Sequence, residues 1–403
     1  MSGPLSLYVH VPFCASRCPY CDFATAPATS GLRARYLAAL NAEIRSEGAA
    51  MGRPAARTLY VGGGTPSLLE PDEIRALGAA LRESFDLDLV EATVEANPAT
   101  LDRARLEAWV SLGITRLSLG AQSFSERGLR VLGRTHQAED VAPAIEAARS
   151  LGLAVSLDLI FGWPNQSNHD WVEDLSRAIS LGPDHISAYP LELVLEPEEA
   201  VANWPGGGWT VVRAWRERAA KTQPADDAVA RMYRTAERAL RSASFEHYEI
   251  ANWARPGKRC QHNLAYWRND EWLGLGTGAH THLRGHRSRR PGSLLAYLDA
   301  IERGAPRISD PAANEASDTA MLALRLDEGL DLGAYRARFG DVPTQRVHRA
   351  LTSTEGLGLV RWSSDVARLT PRGRLLASEV FLRLLDDDEV PISETRATAL
   401  AAT

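Results

Sequence analysis

Lysine is nearly absent from this chain of 403 residues, occurring only at Lys221 and Lys258. Its positive charge is almost all arginine, which beside abundant alanine reads as genomic composition bias. Lys and Arg number 45 against 51 Asp and Glu, a net charge of -6, so no global field draws the chain to nucleic acid or an anionic membrane. No apolar run approaches the roughly eighteen residues of a membrane span. The N-terminus lacks a charged segment followed by an apolar one. Four cysteines are too few for a disulfide scaffold, and three of them crowd between positions 14 and 21, which points to a reducing compartment. The expectation is a cytoplasmic protein with no stable membrane insertion and no nucleic-acid partner.

A content of 45% hydrophobic and 24% charged residues is ordinary for a globular chain, and the length suggests two domains or a large barrel with an appendage. From Leu5 to about Leu193, β-rich runs alternate with amphipathic helical stretches, the pattern of a parallel sheet built from β-α units. The runs are Leu5 to Val11, Thr58 to Val61, Ala92 to Glu95, Arg116 to Ala121, Ala154 to Phe161 and His185 to Leu191. Between them, apolar residues recur at helical spacing, as at Tyr36, Leu37, Leu40 and Ile44. Leu112-Gly113, Leu151-Gly152 and Leu181-Gly182 stand where helices are expected to end. Six such runs predict a partial (β/α)6 barrel over residues 1–195.

The stretch 196–226 breaks this rhythm with Pro197, Pro205 to Gly208, Pro224 and tryptophans at 204, 209 and 215, and reads as an inserted loop with a short helix. The tryptophans cover a ligand or pack back on the barrel; packing is the favoured reading. Residues 227–304 complete the core. From 305 to 403, helical patterns lead to Gly358 to Trp362, a turn at Ser363 to Asp365, and Val366 to Leu369. This predicts a C-terminal α+β winged-helix-like domain, for which a docking or lid role suits the charge better than DNA binding.

Chemistry is concentrated in Cys14-x3-Cys18-x2-Cys21, directly after the first strand. Three thiolates at this spacing can hold three corners of a [4Fe-4S] cluster, leaving one iron open, because Asp22 and Phe23 follow where a fourth cysteine would stand. The alternatives are buried free thiols or a zinc site, for which His10 would have to be the fourth ligand. Strand ends in parallel α/β barrels carry ligands. Gly62-Gly63-Gly64-Thr65-Pro66 ends the second run, Glu95 the third and Gln122 the fourth, and Arg134 and Asp158 follow. Glycines there let backbone amides approach a ligand; a carboxylate at a barrel mouth needs a partner. The alternative for Arg134 and Asp158 is a buried ion pair closing the barrel, with ligand binding the favoured reading. Cys260-Gln-His262-Asn-Leu-Ala-Tyr266-Trp267 has a histidine and flat rings suited to heme, though such a histidine is often only packed, and a buried inert thiol is the default for Cys260. The glycines of Gly274 to Gly278 fit a dinucleotide motif poorly.

The segment Tyr8-Val-His-Val-Pro-Phe-Cys14-x3-Cys18-Pro-Tyr20-Cys21-Asp-Phe23 resembles one branch of the radical S-adenosylmethionine (SAM) proteins, that of the oxygen-independent coproporphyrinogen III oxidases and their heme-binding relatives. The resemblance covers roughly residues 5 to 285. It implies a partial radical SAM barrel and SAM on the open iron, cleaved by one electron to a 5′-deoxyadenosyl radical. By the same resemblance, Tyr8, Tyr20, Gly63, Gly64, Thr65, Glu95, Gln122, Arg134 and Asp158 contact SAM. It also implies a heme site at His262, Tyr266 and Trp267 with Cys260 as a possible further ligand, and an electron donor such as a flavodoxin or ferredoxin. Oxidases of the branch carry a cysteine at the position of Phe23 and a long segment before the cluster; here thirteen residues precede Cys14. Both departures favour a carrier that passes heme to an acceptor protein, without coproporphyrinogen III oxidase activity. A radical enzyme acting on a porphyrin comes second, and an Fe–S docking adaptor third.

Overall fold

The computed structural model describes residues 5–193, 203–204, 208–311 and 314–385. Pro197 and Pro205 of the expected insertion lie outside the described residues, as do 386–403. The chain divides into two compact units, one reaching Tyr266 and resuming at Asp270 to Pro311, the other formed by Trp267–Asn269 and the residues from 312 onward.

Six strands of the first unit follow the expected order: β1 (Leu5–Val11), β2 (Ala55–Gly63), β3 (Asp86–Ala96), β4 (Arg116–Gln122), β5 (Ala154–Phe161) and β6 (His185–Pro190). Each pairs in parallel with the next. Their apolar residues are buried on the face turned toward the helices, as in Leu7, Val9, Leu59, Val61, Leu117 and Leu119, all without exposed surface. Burying such side chains contributes roughly 1.5–3 kcal/mol each. Helices α1 (Ser30–Ala50), α2 (Pro71–Ser84), α3 (Arg103–Leu112), α4 (Glu126–Val131), α5 (Val141–Ser150) and α6 (Asn168–Ser180) fill the connections. Ser125 and Ser167 cap α4 and α6 by accepting backbone N–H bonds, and Asp102 does the same for α3. Gly113, Gly152 and Gly182 take φ of 110°, 78° and 63°, the left-handed values that end helices.

The sheet is wider than the six runs suggest, with 12 strands among the described residues. Beyond β6 lie β7 (Glu246–Glu249) and β8 (Asn252–Ala254), with β8 antiparallel to β6. On the other flank β9 (Trp272–Leu275) runs parallel to β1, followed by β10 (His280–Leu283), β11 (His286–Arg289) and β12 (Ile308–Ser309) in antiparallel order. These strands hold two to four residues, too few for an alternation to register. Gly276, with φ of 101°, is needed for close packing: a Cβ there would stand 2.4 Å from the Tyr36 hydroxyl. Its N–H donates to the buried Glu43 carboxylate at 2.8 Å, so this glycine-rich turn is a seam of the core.

The expected insertion contains a full helix, α7 (Gly208–Ala220), followed by α8 (Asp226–Ser242). Trp215 packs against the apolar cluster of Leu132, Ile160, Trp163 and Leu191, and the Trp204 indole N–H donates to the Thr25 hydroxyl at 3.1 Å. Trp215 thus packs back on the barrel, while Trp204 is tied to it by a hydrogen bond; the Trp209 side chain lies outside the described residues.

In the second unit, α-helices Glu315–Arg325, Leu332–Phe339 and Asp341–Glu355 precede a hairpin of Val360–Ser363 and Val366–Leu369, joined by the short strand Leu330–Asp331 into an antiparallel sheet. This is the helix and wing order of a winged-helix module. Ser364 turns the hairpin at φ of 54°.

Candidate SAM and iron–sulfur site

The cysteine loop leaves β1 through a two-residue strand, Phe13–Cys14, paired with Ala26–Pro27. Backbone bonds from Ala26 to Pro12 and from Cys21 to Cys18 fold it back. Arg216, from α7, fastens it further: its side chain is 1% exposed, donates to the Pro19 and Cys21 carbonyls at 3.0 and 3.2 Å, and pairs with Asp22. None of the three cysteines is in a disulfide, and each is partly exposed. Burial pushes Cys14 up to about 11 and Cys21 up to about 12, so metal loading has to displace their protons.

The donor set fits a [4Fe-4S] cluster bound at three corners. Cys14 Sγ lies 3.4 Å from the Thr65 hydroxyl, and Cys18 Sγ takes the Arg134 guanidinium at 3.7 Å, polar groups that suit sulfur carrying negative charge. The zinc alternative fails at His10. Its Nε2–H donates to the Ala24 carbonyl at 2.8 Å and its Nδ1 accepts from the Tyr8 hydroxyl at 2.9 Å, leaving no ring nitrogen for a metal. Among the described residues, no three His, Cys, Asp or Glu side chains gather as they would round a single ion.

Around this loop stand the ends of β1 to β5. Gly64 lies against the cysteine segment so closely that a Cβ would meet the Pro12 carbonyl carbon at 2.6 Å, while its N–H and that of Thr65 donate to Val11 and Phe13. Gly63, at φ of 112°, turns its N–H onto Glu95 Oε2 at 2.9 Å; the Tyr60 hydroxyl donates to Glu95 Oε1 at 2.9 Å. Burial pushes the Glu95 carboxyl up to about 7, against these two hydrogen bonds, which lower it. A carboxylate held only by neutral donors is a receptor for a cation. Gln122 adopts φ of 64° where β4 breaks register with β5, a strained conformation of the kind found at ligand sites. Arg134 donates to the Gly120 carbonyl at 2.8 Å and bonds Tyr20, whereas Asp158 is held by Ser118 at 2.9 Å and by Ser187. The described residues therefore contain no Arg134–Asp158 ion pair closing the barrel. Tyr8 stacks on Tyr60 with ring centroids 6.2 Å apart.

The expected heme residues are not part of this cluster. His262 lies in α9 (Gln261–Trp267) and is wholly buried, with Nδ1 bonded to the Thr58 hydroxyl and Nε2 to the Tyr266 hydroxyl, both at 2.8 Å. In this geometry both ring nitrogens are engaged, so ligation of heme iron by His262 would require one of these two hydrogen bonds to break. Cys260 is also enclosed: its Sγ donates to Glu91 at 3.2 Å, and burial raises its pKa well above the usual thiol value. Glu91 pairs with Arg116, both side chains 6% exposed, and Arg116 also donates to the Lys258 carbonyl. Glu91 sits four residues before Glu95 on β3, roughly 13 Å toward the opposite end of the strand. Trp267 falls in the second unit, where the Arg325 guanidinium lies 4.4 Å from its ring. The residues around Cys260 and His262 thus plug the far end of the barrel.

Tyr60, Arg216, Ser118, Ser187 and the Glu91–Arg116 pair went unread in the sequence. A signal existed for several of them. Thr58, Tyr60 and Gly62, like Glu91, Thr93 and Glu95, are spaced by two and share one strand face. Polar residues at alternate positions of otherwise apolar runs mark a barrel lumen.

The Radical SAM superfamily profile matches residues 8–178, and that of the HemN C-terminal domain matches residues 311–376. The heme chaperone HemW of Mycobacterium tuberculosis is 37% identical over 393 residues, covering 95% of each chain. HemW of Bacillus subtilis is 32% identical over 385 residues, covering 93% of this chain and 98% of its own length. HemW of Escherichia coli is 37% identical over 282 residues, 69% of this chain and 70% of its own. Among solved structures, coproporphyrinogen III oxidase (HemN) from Escherichia coli superposes with a TM-score of 0.79 at 22% identity, covering 95% of this chain and 90% of that one, a likeness of fold.

Proposed function

This chain belongs to the HemW family of the radical SAM superfamily, and from that premise we propose that it is a heme carrier, binding heme and handing it to an acceptor protein. The observation that carries the reading is the extent of the correspondence: relatives named heme chaperones match it over 95% of its length. Phe23 agrees with it, standing 60% exposed beside the cysteine loop where the oxidases have a further cysteine.

Cys14, Cys18 and Cys21 hold the [4Fe-4S] cluster, and Arg134 places positive charge on Cys18. Glu95, oriented by Tyr60 and Gly63, receives the cationic SAM, with Tyr8, Tyr20, Gly64, Thr65, Gln122 and Asp158 around it. When bound, the two cofactors supply one-electron reductive cleavage of SAM, which in a carrier serves release or regulation. The partners are a heme-accepting protein and an electron donor of the flavodoxin or ferredoxin kind. Among the described residues no helix is long and apolar enough to cross a membrane.

Anaerobic titration with hemin, followed at the Soret band, is expected to show stoichiometric binding, and the loaded protein is expected to pass heme to an apo-acceptor. No binding by the wild type would remove this reading. The protein is expected to form no vinyl product from coproporphyrinogen III with SAM and reductant; protoporphyrinogen formation would restore the oxidase.

A further inference from the structure

His262 closes one end of a chain of contacts whose other end is the SAM site. Its ring is fixed at both nitrogens, by the Thr58 and Tyr266 hydroxyls at 2.8 Å each. Burial lowers its pKa to about 3, so it stays neutral, donating through one nitrogen and accepting through the other. One face lies against Tyr60, with ring centroids 5.2 Å apart and planes tilted by 31°. Thr58 and Tyr60 are two positions apart on β2 and point into the same lumen, so the histidine is tied to the strand at one position and packed on the ring at the next.

Tyr60 is confined from the other sides too. Tyr8 stacks on it at 6.2 Å, and a Cβ on Gly62 would stand 2.9 Å from its ring. Held so, its hydroxyl reaches Glu95 Oε1 at 2.9 Å. The base of the chain is anchored by charge: the His262 backbone N–H and Cys260 Sγ both donate to Glu91 at 3.2 Å, and Glu91 is paired with Arg116 at 2.8 Å.

We propose that His262 is a positioning residue of the SAM site, holding the Tyr60 ring so that its hydroxyl orients Glu95 toward the bound cation. The inference rests on SAM binding and is independent of whether the chain carries heme. The motif around His262 is then the floor of the cofactor pocket. With the floor removed, the Tyr60 ring gains room to tilt and Glu95 loses one of its two donors.

The test uses the full-length, cluster-loaded protein with three single variants, His262→Ala, His262→Gln and Tyr60→Phe, and the double variant His262→Ala with Tyr60→Phe. Cluster content by iron and sulfide analysis and thermal unfolding establish that each is loaded and folded. Affinity for SAM is read by equilibrium dialysis, and site geometry by the SAM-induced change in the EPR spectrum of the reduced cluster. His262→Ala is expected to weaken SAM about tenfold or more, the size typical of groups that orient ligands from behind, and to alter the EPR change. His262→Gln, whose amide can both donate and accept, is expected to restore most of both. Tyr60→Phe keeps the packing and loses only the hydroxyl; it is expected to reproduce the loss with normal unfolding, and the double variant to add little to it. Should His262→Ala destabilise the protein too far to measure, Tyr60→Phe alone decides. Unchanged SAM affinity in a loaded, folded Tyr60→Phe protein would overturn the proposal. A hemin titration on the same proteins separates it from ligation: heme binding lost in His262→Ala with SAM affinity intact would also overturn it.

Discussion

Replacing Glu95 with glutamine isolates the charge that the site keeps in reserve. Burial lifts this carboxyl from an ordinary 4.5 to about 7. It is therefore ionised to roughly one tenth at pH 6 and nine tenths at pH 8. SAM is a sulfonium cation, and if it is received by the ionised form, its affinity rises about tenfold over that interval. Glutamine keeps the contour, since its oxygen can accept from Gly63 and its NH2 can donate to Tyr60, but it has no charge to develop. The wild-type slope with pH is expected to vanish in Glu95→Gln, and affinity at pH 8 to fall by about tenfold or more. Equilibrium dialysis at matched ionic strength measures both.

The same shift fixes the sign of a stability effect in the protein without SAM. The native state keeps a proton that the unfolded chain loses above 4.5, so stability is highest below that pH and falls until about 7. The loss is roughly 3 kcal/mol at pH 8. Glu95→Gln is expected to be more stable than wild type at pH 8 and to lose that advantage near pH 4.5, by urea unfolding. An equal pH slope for SAM binding in the variant, or a variant less stable at pH 8, would refute the reasoning.

Cys18→Ala is expected to lose the cluster, seen as loss of iron and sulfide; retention of stoichiometric zinc in its place would support a zinc site instead. Glu91→Ala leaves Arg116 buried without its carboxylate and is expected to cost about 3–5 kcal/mol in urea unfolding; a cost below about 1 kcal/mol would mean that the pair does not anchor the Cys260 to His262 segment. Arg216→Ala frees the loop at Pro19 and Cys21 and is expected to speed bleaching of the cluster's visible absorbance by a chelator, without shifting SAM affinity in the freshly loaded protein. An unchanged bleaching rate would show that α7 merely lies over the loop.

The central strands and the cysteine loop were legible because they are long enough, or dense enough, to carry a pattern. β1 to β6 are each six residues or longer, and the Leu-Gly helix ends need positive φ, which few other residues tolerate. The flanking strands β7 to β12 have two to four residues and were invisible for that reason. Arg216 was hidden differently: nothing local in Trp215-Arg216-Glu217 says that a guanidinium will be 1% exposed and bonded to carbonyls almost two hundred residues away.

His262 teaches the sharper lesson. A histidine among aromatics advertises an imidazole and flat rings, and the same inventory serves a ligand site or a packed floor. What separates the two is the state of the two ring nitrogens, which depends on Thr58, 204 residues earlier. Yet the strand period could have narrowed the choice. Thr58, Tyr60 and Gly62 share one face of β2, as Glu91, Thr93 and Glu95 share one face of β3. In parallel strands the first members of each set lie at one end of the lumen and the last at the other. A buried histidine needs hydroxyl or carbonyl partners, and a lumen that begins with Thr58 and Glu91 offers them at the end away from the glycines. The polar face of a central strand therefore carries two kinds of information: the last residue marks where a ligand is received, and the earlier ones mark what must fill the barrel beneath it.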